Sequence, residues 1–501
     1  MKAVYLFAKR NAGFLGLIFG LGLSTVANAA VGFSISPSII TNDYVGEITL
    51  NITNLTPGQT VTVGIYSDLN GNGVIATNDP LTRSFPLTDG QVPLVAGVRN
   101  LNVPGDEDGL TNGQIRAVNY VPSDSGGLIA AGKSIVEVSD PLGGFSPVTQ
   151  PFTVVPRVYP QSVTGRLTLA ANGLPLTNTV VGVANINTSD TFLTGTDTNG
   201  NYTVYCLPGS YVLEAYNLEI GLVYSETLQF AVACGQTVTN NLALTNGNFS
   251  ISGRVTNSST GAGIPGLSVD ANTSDYLAAA TYTDTNGNYS LPVTPDTWSI
   301  HPSTGAASEA GYVPVTRTKV AVTNASVPNI NFALSRPTAM IYGTLQDTLT
   351  NPIVGVQMSV LDSSNIYHVD GRSFVTNGNY SLGVLAGTWF PGPAGGDLAA
   401  RGLEGGTSNA VLIAGQATNI NFTVTRTNFP SLTNPTHVSS SQFQFLLAGL
   451  AGQSYTIQTI TNLDGTNWLA LLTTNIPCVS AYILDGQATN NQRFYRALVV
   501  P

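Results

Sequence analysis

Asp197-Thr198-Asn199-Gly200-Asn201-Tyr202 recurs as Asp284-Thr285-Asn286-Gly287-Asn288-Tyr289, and less perfectly as Thr376-Asn377-Gly378-Asn379-Tyr380. The three copies lie about ninety residues apart. Ahead of each stands a glycine pair (Gly165-Arg166, Gly253-Arg254, Gly343-Thr344) and a proline (Pro175, Pro265, Pro352). Behind each comes an Asn-x-x-apolar ending: Asn241 to Leu244, Asn331 to Leu334, Asn421 to Val424. A solenoid unit is roughly 20–50 residues long, so these repeats are too long to stack that way. Each can enclose a core of its own.

Composition sets the class. Gly contributes 53 of 501 residues, charged residues only 9%, and hydrophobic residues 43%. Helix surfaces draw on Ala, Glu, Lys and Leu, and this chain has little Lys or Glu to supply. Short alternating runs broken by Asn-Gly, Pro-Gly and Asp-Gly predict antiparallel β-sandwiches. Such runs open and close at Glu47–Ile52, Thr60–Tyr66, Gln114–Tyr120, Ser134–Val138, Val180–Val183, Leu267–Val269, Val356–Val360, Ser454–Thr459 and Phe494–Ala497. In each repeat Asn-Gly predicts a type I′ hairpin, whose two central residues need positive φ. The tyrosine after it starts the return strand.

The chain divides into a leader at 1–29, a first β-sandwich at 30–157, repeats at 162–245, 249–335 and 338–427, and a last β module at 430–501. Pro151 to Pro160 reads as a stiff joint. Joints of about three residues follow the first two repeats, which predicts tandem sandwiches strung as beads on a rod. The leader has Lys2, Lys9 and Arg10, an apolar run from Ala12 to Leu23, and Ala27-Asn28-Ala29 as a small-x-small cleavage site. That is the pattern of a secretory signal, and no later stretch approaches the roughly twenty apolar residues of a membrane span. The expectation is a secreted or cell-surface protein. Removing the leader's three cations takes the formal charge from −10 to −13. An acidic chain without basic clusters excludes nucleic acid and anionic lipid as natural partners.

The repeats resemble carboxypeptidase regulatory-like domains, the prealbumin-like sandwiches of bacterial surface proteins. The residues that carry the resemblance are the Gly-x-apolar opening, the proline turn, the Asp-x-Asn-Gly-Asn-Tyr stretch and Pro208-Gly209-Ser210-Tyr211. The third repeat departs most, lacking the hairpin Asp and the Pro-Gly. The resemblance implies fold; it implies no peptidase activity, because no His-x-x-Glu/His zinc arrangement is present. The last module is similar to a terminal module of secreted bacterial proteins.

Asp68-Leu69-Asn70-Gly71-Asn72-Gly73-Val74-Ile75-Ala76-Thr77-Asn78-Asp79 carries the sharpest local chemistry. Oxygen donors at positions 1, 3 and 5, Gly at 6 and an acid at 12 match a Ca²⁺ loop. The expected ligands are Asp68, Asn70, Asn72, the Val74 carbonyl and Asp79. Two carboxylates and a closing Asp instead of a bidentate Glu imply weak binding; the plainer reading is an Asn/Gly-rich turn. Gly127 to Ser134 fits the phosphate-loop pattern by letter, but Ile135 to Val138 continues as strand where that motif requires a helix. Asp106-Glu107-Asp108 reads as solvated charge. Trp298 and Trp389 occupy the position of Tyr211 and read as core; Trp468 is the better platform for a sugar. Cys206 and Cys234 share the first repeat and predict a disulfide, leaving Cys478 free. His301, His368 and His437 fall in three segments with no metal-ligand spacing.

Three functions remain open on these residues. One is a non-enzymatic spacer or adhesion scaffold that meets an extracellular polysaccharide or surface protein. Another is a carbohydrate-binding accessory protein, and the third a hydrolase with an unrecognised site.

Overall fold

The computed structural model describes residues 30–500 except 78, 120–130, 178, 189, 217–221, 226–228, 275–276, 374–376, 407–408 and 491. The leader, the first half of the phosphate-loop match and the start of the third Asn-Gly stretch therefore lie outside the described residues. The chain is all-β as expected: among the described residues the helices are two of six residues each, Thr304–Glu309 and Gly395–Ala400.

The first segment folds as two facing sheets. Gly32–Ser36, Ile48–Thr53 and Ile115–Asn119 make one, and Ile39–Thr41, Val148–Val155, Gly132–Ser139, Thr60–Ser67 and Leu81–Thr88 the other. Alternation decides what is buried. Ile48, Leu50 and Ile52 from one sheet meet Val61, Val63, Val136 and Val138 from the other, all nearly free of solvent. Gly132, Lys133 and Ser134 sit inside a strand, so the phosphate-loop letters have no helix to act with.

Each repeat uses one plan. In the first, Ser162–Leu169 pairs antiparallel with Asn201–Tyr205 and parallel with Thr237–Thr239 and Leu242–Asn246. The opposing sheet runs Thr191–Gly195, Val180–Asn185, Gly209–Tyr216, Phe230–Val232. Equivalent strands recur around Phe249–Asn257 and Ala339–Asp347. The Asn-Gly stretch is not the I′ hairpin its dipeptide predicts. It carries the chain from Thr191–Gly195 in one sheet to Asn201–Tyr205 in the other. In the first two repeats only the glycine takes positive φ, 76° at Gly200 and 78° at Gly287, whereas in the third both Asn377 (116°) and Gly378 (64°) do. The corner closes through Gly200 N–H to Asp197 O (3.0 Å) and Asp197 N–H to Asn201 O (2.8 Å). Crossing between sheets needs no matched pair of strands, so the twist that favours I′ turns does not apply.

Five hydrophobic clusters form, one centred in each segment. The tandem sandwiches hold, but the string folds back on itself, and contacts are not confined to neighbours along the chain. Asn102 Nδ2 of the first segment donates to Ser381 O of the third repeat at 2.6 Å. Leu101 N–H donates to Ser381 Oγ at 2.7 Å. Arg83 of the first segment pairs with Glu309 of the second repeat at 3.5 Å, both side chains largely covered. Tyr224 and Ser225 of the first repeat pair with Ala278 and Leu277 of the second, continuing one sheet into the next.

The cysteine expectation is corrected. Cys234 bonds to Cys478, across 244 positions, and Cys206 is the free, buried thiol. The reason is where each strand ends. Cys206 continues the inward alternation of Tyr202 and Val204 and ends in the repeat's own core. Cys234 lies past the end of the edge strand Phe230–Val232, on an exposed turn that the last module adjoins. Gln161 Nε2 donates to Pro477 O there (3.1 Å), and Leu207 lies against Gly452.

Candidate functional site

The repeated residues converge on each sandwich's own frame. Gly165, Gly253 and Gly343 lie where a Cβ would stand 1.6, 1.8 and 1.8 Å from the carbonyl oxygen of Asn240, Ile330 and Ile420. Those same carbonyls accept the hydroxyls of Tyr202, Tyr289 and Tyr380, each at 2.6 Å. The asparagine that follows accepts the N–H of Arg166, Arg254 or Thr344 (2.9, 2.9 and 3.0 Å). Arg166 and Arg254 then reach the corner, Nε donating to Asn199 O and Asn286 O. Asp197 Oδ1 accepts the N–H groups of Asn199 and Asn201, both at 2.8 Å, and Asp284 repeats this with Asn286 and Asn288. The Asn201 and Asn199 N–H groups hold the Asp197 carboxyl below its usual range. The signature is a structural latch.

Trp298 and Trp389 are core, as read: they are 0% and 1% exposed. Each indole Nε1 donates to the carbonyl four residues earlier, Thr294 and Leu385, at 2.9 Å, and Tyr211 OH does the same to Leu207 at 2.6 Å. Trp468 is half-buried, with the Arg496 guanidinium 4.4 Å from its ring centre; Arg496 Nε donates to Gln458 Oε1 (2.8 Å). The acidic triplet is not uniformly solvated. Asp106 is fully buried and accepts the N–H groups of Gly90 and Arg116 (2.8 and 3.1 Å). Glu107 pairs with Arg99 at 2.6 Å.

The loop from Asp68 to Asp79 joins two strands of the first sandwich. Asp68 Oδ1 and Oδ2 accept the N–H groups of Asn72 and Gly73 (3.1 and 3.0 Å). Asn70 Oδ1 and Asn72 Oδ1 accept from Asn72 and Val74 (2.9 and 2.8 Å). Asp79 Oδ1 and Oδ2 accept from Leu69 and Ala76 (3.2 and 2.8 Å). Each of these oxygens has a second lone pair to offer a cation, and both carboxylates are largely buried. The donor set fits a hard, oxygen-seeking ion. Against it stands Lys133, whose Nζ would lie 3.6 Å from a Cβ placed on Gly71. Among the described residues no group of three or more His, Cys, Asp or Glu is placed to hold a metal.

One cluster escaped the sequence reading. At the joint of the second and third repeats, Ser359 Oγ lies 2.6 Å from His368 Nε2, and Asp370 Oδ1 lies 3.2 Å from that same nitrogen. Thr304 of the short helix donates to Asp370 Oδ2 (2.5 Å), and Asp370 N–H donates to Ser308 Oγ (3.3 Å). A nucleophile relay needs hydroxyl and carboxylate on opposite ring nitrogens; here both address one, so the constellation does not relay a proton. Its bonds to Asp370 push His368 up. His301, buried beside it, is pushed down to about 4, by burial first and then by Arg317. No spacing rule links 301 with 368 and 370, because the joint that brings them together is tertiary.

The model of the carboxypeptidase regulatory-like domain family matches residues 250–335. No curated protein matches the chain in sequence. Among solved structures, the Bacillus anthracis TIE protein aligns at 12% identity over 79% of this chain and 74% of its own, with a TM-score of 0.17. A streptococcal ancillary pilin aligns at 15% identity over 52% of this chain and 98% of its own (TM-score 0.18). The major pilin subunit of Bacillus cereus aligns at 12% over 53% and 99% (TM-score 0.15). Superpositions this loose carry nothing about activity or partners. No helix among the described residues is long and apolar enough to cross a membrane. The family match falls on the second repeat, residues 250–335, whose sheet plan the first and third repeats share: this part of the chain matches the carboxypeptidase regulatory-like domain.

Proposed function

We propose that the chain is a secreted, non-enzymatic scaffold at the cell surface, a spacer and adhesion protein whose sandwiches present binding surfaces to extracellular polysaccharide or to another surface protein. The observation that carries this reading is the use made of the repeated polar residues. Asp197, Asn199, Arg166, Tyr202, Asn241 and their counterparts bond within their own sandwich, the use expected of a structural frame. The family matched at 250–335 is described as regulatory. Several weak sites on one chain would gain by effective concentration. The test is retention of the purified chain on immobilised cell-wall and matrix polysaccharides, with a hydrolase screen run on the same fractions. Turnover of any ester, peptide or glycoside substrate would end the non-enzymatic reading.

The loop of Asp68, Asn70, Asn72, Val74 and Asp79 binds Ca²⁺ in this proposal and stiffens the first sandwich. At a hundredfold excess over the dissociation constant, calcium would add about 2.7 kcal/mol to that sandwich's stability. Melts in calcium and in chelator should differ, and the difference should vanish in Asp68→Ala. Equal midpoints would leave the loop as an Asn/Gly-rich turn. A carbohydrate-binding role is favoured by one feature, the Trp468–Arg496–Gln458 row on the last module; loss of polysaccharide retention in Trp468→Ala would identify it.

A further inference from the structure

From the position of the Cys234–Cys478 bond we infer that the second and third repeats are held off the load-bearing path of the chain. The bond joins the end of the first repeat to the last module, with the two Cα atoms 5.7 Å apart and the cysteines separated by 244 positions along the chain. Everything from 235 to 477 is thus a closed covalent loop. Tension applied at the two ends of the protein enters the first segment, crosses the first repeat, passes through the sulfur bridge and leaves by the last module. The backbone of the loop is bypassed, because its two ends are fixed together by a covalent bond shorter than any path through the repeats. Only the non-covalent contacts that the first segment and the first repeat make with it can pass load to it, and these can part without drawing the loop out.

The surroundings agree with a built clasp. Cys478 is 9% exposed. Gln161, at the root of the first repeat, donates to Pro477 O and accepts the Gly235 N–H, so one side chain touches the residue beside each cysteine. Leu207 covers Gly452 on the adjoining loop. The third thiol, Cys206, is sealed in the first repeat's core, where burial pushes it up to about 12, so it is no competing nucleophile in ordinary conditions. The inference rests on the scaffold reading only for its meaning: surfaces on the second and third repeats, including the joint at His301 and His368, stay folded while the chain is pulled. The bond pattern itself is independent of that reading.

The experiment is single-molecule stretching of the full chain held at its two ends, with and without dithiothreitol, which takes up the bond's oxidation by closing its own ring disulfide while Cys234 and Cys478 become thiols. At up to about 3.5 Å per residue, the closed loop hides roughly 850 Å of contour, from the 244-position separation. Unreduced protein should extend that much less and show no unfolding steps from the second and third repeats; reduced protein should recover both. Cys206→Ser should keep the shortfall and Cys478→Ser should abolish it. Peptide mapping without reductant, which needs no variant to fold, should yield a fragment joining 234 to 478. Equal extension in both conditions, or a bridge that includes Cys206, overturns the inference. Failure to bind any surface would count against the scaffold reading and leave the load path untouched.

Discussion

Gly253 and Tyr289 show how much of this protein is decided one residue at a time. The glycine lets the Ile330 carbonyl come within reach of the Tyr289 hydroxyl, and the hydroxyl satisfies it. Gly253→Ala would drive a methyl into backbone, where little can yield, so the cost should reach the upper range of overpacking, about 3 kcal/mol. Tyr289→Phe keeps the ring and loses one hydrogen bond, about 1 kcal/mol. Denaturant melts of the two variants should rank in that order; a tyrosine variant weaker than the alanine one would mean the latch works otherwise. At Ser381 the same logic gives a contrast between equivalent positions. Ser290 is exposed, but Ser381 is buried under the first segment and accepts the Leu101 N–H. Ser381→Ala should cost roughly 1–3 kcal/mol by orphaning that donor, and Ser290→Ala should stay within about 0.5 kcal/mol.

Between elements, the joint of the helix Thr304–Glu309 with the strand His368–Arg372 sets a pH response. His301 has its folded value lowered to about 4 from 6.5. Its neutral form is the folded one, so its contribution is complete above about 6.5 and is lost as pH falls through the window down to about 4. The shift corresponds to on the order of 3 kcal/mol. His368 has the opposite sign: its value is raised by Asp370, so its contribution is complete below about 6.5 and fades as pH rises past its folded value. The groups facing this joint are Arg317, His368 and Asp370 around His301, with Thr304 and Ser308 completing the bonds. Thermal melts should therefore lose stability between about pH 6.5 and 4, and His301→Phe should flatten that slope. An unchanged slope would mean His301 is not the group titrating. The element scale also shows the limit of local patterns, since Asn-Gly announced a turn correctly and its type wrongly. A dipeptide reports the φ its residues allow, while the pairing of the flanking strands is settled elsewhere.

At the scale of the whole molecule, non-neighbouring segments touch through few, well-covered polar bonds. The Arg83–Glu309 pair has side chains 11% and 15% exposed, and removing one partner takes a covered charge's counter-ion away, a loss of up to roughly 3–5 kcal/mol. Glu309→Ala should loosen the first segment from the second repeat, seen as faster hydrogen exchange on both sides of that contact; exchange unchanged on the Arg83 side would show the pair to be idle.

The all-β class, most of the strand-like runs and the burial of Trp298 and Trp389 were legible in the residues, because each follows from period-two alternation or from a recurrent position. The latch was half legible: Gly, Arg, Asn and Tyr stood out by spacing, but their shared carbonyl did not. The Asp68 loop was legible as a donor pattern, while the Lys133 ammonium above it comes from a strand sixty-odd positions away. The cysteine pairing was misread because sharing a repeat stood in for sharing a face. Cys206 continues its strand's inward alternation into the core, whereas Cys234 lies beyond the end of its edge strand, and its partner sits on the last module. Local sequence determined which side of each strand is buried, since that needs only the chain's own periodicity. Which sandwich lies against which, and hence the clasp, the Ser359–His368–Asp370 cluster and the fold-back of the string, was decided by contacts between surfaces far apart in sequence, which no local pattern encodes.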